Sequence, residues 1–327
     1  MKKSECRKHL LLASYLYFFA LFLQAARHSR QVERTHYNRI QVVSSLKNAN
    51  FGRESHSSVT LVTGYYSTSG KHTEDEYRVW ISRYLSLSDN VVIFTQEEHV
   101  ENFSHQRHRS KGSTLLVLSS LDDSFDNWVD WDEQYRLDPE KQFHATSDLY
   151  KIWNQKSDLV AETARYNPFN STHFFWTDIG QFRDDFFMNK YLKPELTWIK
   201  APHVVPPRKI IFLAIEKFQK SELKFLANGK SRTLNSTLVR LGGGNFGGDR
   251  ITVRKWALLF RRKLYEYVQL GAFAGKDQPI YGSVCIESRI CHIVDALAVR
   301  ESADPWFAMQ PVLHGDVRDI PVYELTP

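Results

Sequence analysis

Residues 174–185 read FFWTDIGQFRDD, and this stretch decides the fold. Three aromatic residues lead into Asp178, and Gly180 follows two positions later. A short apolar run that ends in a carboxylate and a glycine predicts a buried strand that delivers an acid to the carboxyl edge of a sheet. Ligands bind at that edge in open α/β sheets, so Asp178 is a candidate functional acid. The alternative is that Asp178 caps a short helix beginning near Gln181.

The rest of the chain predicts an α/β fold with a largely parallel sheet flanked by helices. Short apolar runs bounded by turn residues predict strands, and they alternate with helical stretches. The other predicted strands are 59–63, 90–95, 114–118, 209–214 and 237–241. The predicted helices are 74–86, 251–268 and 280–287, together with one that begins near Ser147 and ends before Pro168.

The helix after Ser147 carries one cation at an unusual position. Its apolar residues recur at three- and four-residue steps, which predicts one buried face. Lys156 lies on or beside that face. The favoured interpretation is that its side chain snorkels to the surface along its apolar stem. The alternative is that it points a cation into the site of Asp178.

Residues 242–248, GGGNFGG, hold five of the fifteen glycines of the chain. Such a cluster after a predicted strand indicates a loop whose backbone amides face an anionic or sugar ligand at close range. The helix at 251–268 would then direct its N-terminus toward the same ligand. The spacing fits neither the P-loop nor the dinucleotide fingerprint. The alternative is a flexible hairpin.

Two later features are candidates for chemistry. Asp277 and Gln278 precede a predicted helix, where they are either functional or a helix cap. His314 stands before a glycine near the end of the chain, where it is either a metal or phosphate ligand or a structural histidine.

The N-terminus predicts a membrane anchor. Residues 10–26 form a 17-residue run without a charge, and four cations precede it. That length is at the short end of what spans a bilayer, and the preceding positive charge places the N-terminus in the cytoplasm. We therefore predict a cytoplasmic tail at 1–9, an uncleaved signal anchor at 10–26, a stem at 27–58 and a luminal domain at 59–327. The alternative is a cleaved signal peptide.

Three glycosylation acceptors, Asn102, Asn170 and Asn235, agree with a luminal domain and are predicted in loops or at element ends. Cys285 and Cys291 would close a small disulfide loop in an oxidising compartment, or remain two reduced buried thiols. These features predict a single-pass type II protein of the Golgi or endoplasmic reticulum membrane.

Charge excludes one class of partner. The formal net charge is +6, but residues 1–30 hold six of the cations and one acid, so the rest of the chain is nearly neutral. A nucleic-acid binder would carry a basic face on its folded domain. The sequence also lacks the GxSxG, HExxH and paired CxxC patterns of serine hydrolases and zinc sites.

An acid at a strand end, a glycine loop, an Asp-Gln pair and a late histidine suit the transfer of a sugar from a nucleotide donor. The leaving diphosphate needs a cation or backbone amides to take up its charge. A carboxylate that bridges Mn²⁺ or Mg²⁺ to the phosphates does this, because hard cations prefer oxygen ligands. Asp178 is the predicted carboxylate.

Five motifs carry a resemblance to a known family. LVTGYYSTSG, WNQKSDLV, FFWTDIGQFRD, LGGGNFGG and KDQPIY, in this order, resemble the HtrL/YibB-type family of glycosyltransferase-like proteins. The resemblance covers about Val59 to His314 and implies a GT-A-like nucleotide-diphospho-sugar fold in a single globular domain. It implies a nucleotide-sugar donor and a glycan or glycoconjugate acceptor, without naming either.

The resemblance and the motifs together assign roles to residues. Asp277 and Gln278 match an acceptor-side or catalytic acid position, and Asp178 and His314 would hold the metal. The donor-binding set is Thr63, Gly64, Tyr65, Lys156, Trp176, Asp178, Gly180, Arg183, Gly243, Gly244, Asn245, Gly247 and Gly248.

One departure from the general GT-A pattern affects the metal prediction. Metal-dependent members present two acids as Asp-x-Asp, whereas Gly180 stands at the second position here. Asp184 and Asp185 lie further along the chain. The missing acid leaves a second hypothesis open, a non-catalytic luminal domain that kept the fold and binds glycans or a protein. A luminal methyltransferase ranks below both, because the first-strand loop has too few glycines.

Overall fold

The computed structural model describes most of the chain after residue 56. The predicted tail at 1–9, the predicted anchor at 10–26 and nearly all of the predicted stem lie outside the described residues. Among the described residues, no helix combines the length and apolar character needed to cross a membrane. The chain divides into two units, Met1–Gln41 and Val42–Pro327, and the fold below belongs to the second. The described residues are 41–42, 57–68, 72–108, 110–123, 128–183, 185–191, 197–302 and 304–325.

The strands from Val59 onward lie in one mixed sheet. They are β1 Val59–Tyr65, β2 Asn90–Thr95, β3 Thr114–Leu118, β4 His173–Thr177, β5 Ile210–Ala214, β6 Asn245–Asp249 and β7 Cys291–Asp295. A two-residue strand, Gln41–Val42, precedes them. Their order in the sheet is β3-β2-β1-β4-β6-β5-β7. Every neighbouring pair is parallel except the two that involve β6, which runs antiparallel to both β4 and β5.

Helices connect the strands, and side chains at their ends fix several boundaries. The helices are α1 Glu74–Leu85, α2 Glu97–Arg107, α3 Trp131–Leu137, α4 Asp148–Tyr166, α5 Asp185–Tyr191, α6 Arg250–Gln269, α7 Asp277–Ser288 and α8 Met309–His314. Thr73 and Glu76 form a capping box at the start of α1. The Asp249 carboxylate accepts hydrogen bonds from the first amides of α6, and Asn167 ends α4 in the left-handed conformation. Short 3₁₀ turns lie at Leu121–Asp123, Lys141–Phe143, Pro202–Val204, Ala296–Ala298 and Pro305–Phe307.

An aromatic cluster joins the helices to the sheet. Phe212 on β5 lies 5.3 Å from Phe246 on β6, 4.9 Å from Trp256 on α6 and 5.2 Å from Tyr281 on α7, measured between ring centroids. All four side chains are buried. Burying a large apolar side chain contributes about 1.5–3 kcal/mol to stability. This cluster therefore fixes α6 and α7 against the part of the sheet formed by β5 and β6.

The α/β prediction is confirmed, and one strand prediction is wrong. Residues 237–241 form no strand; Leu241 alone makes an isolated bridge to Ala214. The strand is instead Asn245–Asp249, inside the glycine-rich segment. Phe246 is buried on it, so this one apolar residue anchors a strand otherwise poor in side chains.

Gly247 and Gly248 are glycines because neighbouring strands pass too close for a side chain. A Cβ on Gly247 would lie 2.3 Å from the Phe174 carbonyl oxygen and 2.4 Å from the Phe175 ring. A Cβ on Gly248 would lie 2.6 Å from the Lys209 carbonyl oxygen. Their predicted place in a donor-binding loop is therefore replaced by a packing role in the centre of the sheet.

The direction of β6 also corrects the prediction for the following helix. Asn245 pairs with Thr177 at the carboxyl end of β4, whereas Asp249 pairs with His173 at its start. Since α6 begins directly after Asp249, its N-terminus lies at the opposite edge of the sheet from Asp178. It cannot direct its dipole at a ligand bound there.

We expect Gly247→Ala to lower the free energy of unfolding by about 3 kcal/mol, at the upper end of the range for overpacking, because the clash is with backbone. Gly242→Ala is the matched control, since its Cβ would make an ordinary contact of 3.4 Å with Ile215. Thermal or urea unfolding of both variants measures the difference. Equal stabilities would contradict the packing role of Gly247.

The disulfide is present, and the glycosylation acceptors are accessible. Cys285 at the end of α7 is bonded to Cys291 at the start of β7. Asn170 and Asn235 are exposed outside helices and strands, as predicted. Asn102 is exposed too, but it lies inside α2 rather than in a loop or at an element end. Modification of the three residues stays a prediction.

Candidate active site

Asp178 follows directly after β4, at the edge where the parallel strands β1, β2 and β3 also end. Its amide donates a hydrogen bond to the Gly244 carbonyl, at 2.8 Å. Its Oδ1 accepts from Trp176 Nε1 at 2.6 Å and pairs with Lys156 Nζ at 3.0 Å. Among the described residues the next helix begins at Asp185, and the partners of Asp178 Oδ1 are Trp176 and Lys156 rather than an amide of that helix, so the helix-cap alternative does not describe this carboxylate.

Lys156 is buried beneath the site, with 4 % of its surface exposed. Its Nζ donates to the Gly243 carbonyl at 3.1 Å, lies 3.7 Å from Asp277 Oδ2, and stands 5.6 Å from the centre of the Trp176 ring. The favoured interpretation, that Lys156 snorkels to the surface, is wrong. Burial alone would lower the pKa of Lys156, but the carboxylates of Asp178 and Asp277 together raise it above its usual value.

Asp277 is the first residue of α7 and is 3 % exposed. Burial raises the pKa of its carboxyl to about 6; Lys156 acts in the opposite direction, and the charge of Asp178 adds to the increase. Its Oδ2 has no hydrogen-bond partner among the described residues. Gln278, its neighbour, is only half-buried and donates no hydrogen bond to this cluster in the part of the chain that is described. The catalytic role of the pair stays a prediction.

A pocket of about 420 Å³ opens above this cluster. Lys156 and Asp178 line it from below, and Tyr65, Tyr77, Trp153 and Trp176 supply aromatic walls. Aromatic faces of this kind stack on rings while polar groups fix orientation. The pocket therefore suits a ligand that has a ring and an anionic group.

Trp153 and Tyr77 were missing from the predicted site. Trp153 was detectable, because Leu149, Ile152, Trp153 and Lys156 follow a spacing of three, four and seven residues and all line the pocket. Their shared face of α4 is the apolar face found in the sequence. Tyr77 lies on α1, and nothing in its local sequence connects it to Asp178.

Arg183 lies at the mouth of the pocket and is held in place. Its guanidinium carbon stands 4.3 Å from the centre of the Trp80 ring, and its Nε donates to the Gly180 carbonyl at 3.0 Å. Its Nη1 lies 3.3 Å from Nε2 of His72. A Cβ on Gly180 would already lie 3.3 Å from Trp80, so the glycine permits this close approach.

The first half of the glycine segment packs against the two acids. A Cβ on Gly243 would lie 2.8 Å from Asp277 Oδ2, and one on Gly244 would lie 3.2 Å from Asp178 Oδ2. Asn245 accepts a hydrogen bond from Thr177 through its side-chain oxygen. These three residues shape the site from behind and do not line the pocket.

Two of the three donor-binding residues predicted on β1 line the pocket. Gly64 and Tyr65 line the pocket at the end of β1. Thr63 is completely buried and does not line it. Thr63 and Tyr65 share a face of β1, since they are two positions apart, but Thr63 lies further from the carboxyl end of the strand, where the pocket opens.

The structure does not bring His314 to Asp178. Its Nδ1 lies 2.8 Å from the Trp198 carbonyl oxygen and its Nε2 lies 3.2 Å from Lys200 Nζ, so both ring nitrogens have partners of their own. Burial lowers its pKa, and Lys200 acts in the same direction. His314 does not line the pocket of Asp178, and its pairing with Asp178 around a metal stays a prediction that these contacts do not support.

The residues as placed do not fit a divalent cation held by the protein. Among the described residues, no group of three or more histidine, cysteine or acidic side chains has metal-binding geometry. Oδ1 of Asp178 already accepts a hydrogen bond and pairs with an ammonium group. Asp185 is 82 % exposed and pairs with Arg83, so it does not supply the missing second acid.

We expect the free energy of unfolding of the wild type, measured relative to that of Asp277→Asn, to decrease as pH rises. The folded-state pKa of Asp277 is raised to about 6 from 3.8, so its contribution is fully present below pH 3.8 and is lost as pH rises through about 6. A rise of about two pKa units corresponds to a change of about 3 kcal/mol in the free energy of unfolding. Asp89 and Asp158, whose pKa values are also raised to about 6, are common to both proteins and cancel.

Thermal unfolding of both proteins between about pH 4 and pH 7.5 measures this difference. The same series for Asp185→Asn corrects for the change in net charge. A difference that stays constant over this range would mean that Asp277 is ionised throughout.

Comparisons with known proteins find similarity in structure but not in sequence. The sequence matches no protein-family model and no curated protein. Among solved structures, the chain is similar to the apo form of mouse xyloside xylosyltransferase 1, with a TM-score of 0.38 and 10 % identity over 73 % of this chain and 85 % of that one. The resemblance to the HtrL/YibB-type family stays a prediction from the motifs. Fold and site together define a mixed α/β protein with a lysine held between two acids at the carboxyl edge of its sheet.

Proposed function

We propose that this chain is a membrane-anchored luminal glycosyltransferase of GT-A-like fold. It would move a sugar from a nucleotide-diphospho-sugar donor to a glycan or glycoconjugate acceptor. The observation that carries the proposal is the Lys156–Asp178 pair at the base of an aromatic-walled pocket, at the edge of the sheet where α/β proteins bind ligands. The motif resemblance and the accessible glycosylation acceptors support the same reading, with the Golgi or endoplasmic reticulum as the compartment.

Each part of the pocket has a task in this reaction. The aromatic walls stack on the base or sugar ring of the donor. Negative charge develops on the departing diphosphate, and fixed charges stabilise it without reorganisation. Lys156 and Arg183 line the pocket and would supply the positive charges. Asp178 orients the ammonium group of Lys156, and Asp277 supports it from the buried side.

A binding-only luminal domain is the second candidate. The observation that favours it concerns the two acids paired with Lys156, of which Asp178 alone is accessible: it has 42 % of its side chain exposed, whereas Asp277 has 5 %. A domain that binds glycans would keep the aromatic pocket and lose donor turnover.

Nucleotide release from a panel of nucleotide sugars tests the proposal. The full-length protein, solubilised in mild detergent, is incubated with uridine-, guanosine- and cytidine-linked donors, and the free nucleotide is measured. Release from one donor class above that of Asp178→Asn is the expected result. No release from any donor, together with retention on immobilised glycans, would replace the transferase with the binding domain.

A further inference from the structure

We infer that Lys156 and Arg183 together bind the diphosphate of the donor, and that nucleotide binding needs no divalent cation. The inference rests on the proposed function and goes beyond it, because it names the groups that replace a metal. It starts from the geometry around the Lys156 ammonium group.

The Lys156 ammonium group already stands where a bridging cation would be needed. It pairs with Asp178 Oδ1 at 3.0 Å, lies 3.7 Å from Asp277 Oδ2, and donates to the Gly243 carbonyl at 3.1 Å. A divalent cation bound to Oδ1 of Asp178 would face this ammonium group at contact distance. The protein would have to move a buried lysine away from three partners to admit it.

Mg²⁺ sites that use substrate phosphates need only one or two carboxylates from the protein. A metal site with Asp178 as its single carboxylate is therefore not excluded by the number of protein ligands. The objection to a metal is that Oδ1 of Asp178 is already engaged, because Trp176 Nε1 donates to this oxygen at 2.6 Å. The other oxygen, Oδ2, lies close to Gly244, since a Cβ on that glycine would be 3.2 Å from it.

Arg183 supplies the second cation at the mouth of the same pocket. Its guanidinium lies over the Trp80 ring and is held by the Gly180 carbonyl, so little ordering is required when a ligand arrives. An arginine fork binds two phosphate oxygens at once. Glu74, the other acid of the lining, is exposed, so water and salt screen its charge more than that of buried Lys156.

Thermal melting of the full-length protein in detergent, after dialysis against EDTA, tests the inference. The probes are UDP, GDP and CMP, each in EDTA and then with Mn²⁺ or Mg²⁺. A ligand that binds the folded state raises the melting temperature. We expect one nucleoside diphosphate to do so in EDTA, with a similar shift after metal is added.

The variants identify the groups. Arg183→Gln is expected to weaken nucleotide binding about ten- to hundredfold, the value of one charged hydrogen bond. Arg78→Gln is its control, since Arg78 is an exposed arginine on α1 that pairs with the exposed Asp75 and does not line the pocket. The double variant Lys156→Met/Asp277→Asn removes the lysine and its buried carboxylate together, so that no buried charge is left unpaired, and it is expected to lose at least as much affinity.

The outcomes separate this inference from the proposed function. A shift that appears only with Mn²⁺ or Mg²⁺ overturns the inference and leaves the transferase standing. Unchanged affinity in Arg183→Gln and in the double variant overturns the role of these two cations. No shift with any nucleotide in either condition overturns both proposals.

Discussion

Asp178→Asn is expected to lower donor turnover by about 10²–10³-fold, the loss seen when one electrostatic group is removed from an active site. The carboxylate holds the Lys156 ammonium group at 3.0 Å at the base of the pocket. Asparagine keeps the size of the side chain and its acceptor oxygen for Trp176, but it removes the charge that orients the lysine. The measurement is kcat/KM for donor breakdown, together with the melting temperature.

The fold is expected to survive this change, because Asp178 is 42 % exposed and water solvates the new amide. Asp185→Asn is the matched control from the same stretch of sequence. Its carboxylate pairs with Arg83, is 82 % exposed and does not line the pocket. Wild-type turnover by Asp178→Asn would remove Asp178 from the site, and equal losses in both variants would indicate a general effect of charge.

The position of Asp178 was predictable because several local patterns agree around it. An aromatic run, an acid and a glycine specify a buried strand and its end, and the strands at 59–65, 90–95 and 114–118 follow from the same alternation of apolar runs and turns. Parallel strands bring their carboxyl ends to one edge, so Tyr65 and Asp178 were expected near each other. The pocket confirms that expectation.

Other features depend on tertiary contacts that no local pattern contains. Glycine has a low preference for strands, so Asn245–Asp249 was interpreted as a loop. Only the closeness of Phe174, Phe175 and Lys209 explains why this strand has glycine at positions 247 and 248. The antiparallel direction of β6, which moves the N-terminus of α6 to the far edge of the sheet, depends on the same contacts.

The environment of Lys156 was undecided in the sequence for a related reason. Helical periodicity placed it on the apolar face of α4, and a lysine there either reaches for solvent or finds buried partners. The choice depends on Asp277, far away in the sequence. The aromatic cluster joins its helix α7 to α6 through Trp256 and Tyr281, and Trp256 Nε1 in turn donates to Ser157 on α4 at 3.0 Å.

Lys156→Met is expected to lower the free energy of unfolding by about 3–5 kcal/mol near neutral pH, the range for removing one partner of a buried ion pair. The variant leaves Asp277 buried with no cation beside it. Lys156→Met/Asp277→Asn is expected to recover most of this loss, because a buried pair replaced on both sides leaves no uncompensated charge. The difference between single and double variants gives the coupling energy of the two residues.

Lys151→Met on the same helix is the control, and it is closely matched. Lys151 also pairs with two acids, Asp148 at 3.0 Å and Asp122 at 3.3 Å, but these are 40 % and 90 % exposed. Exposed pairs contribute about 0–1 kcal/mol, so a small loss is expected. If Lys151→Met and Lys156→Met lost the same stability, the Lys156 cluster would be no more than another surface ion pair. A large loss confined to Lys156→Met and recovered in the double variant would show that Lys156 and Asp277 are a coupled buried pair at the base of the pocket.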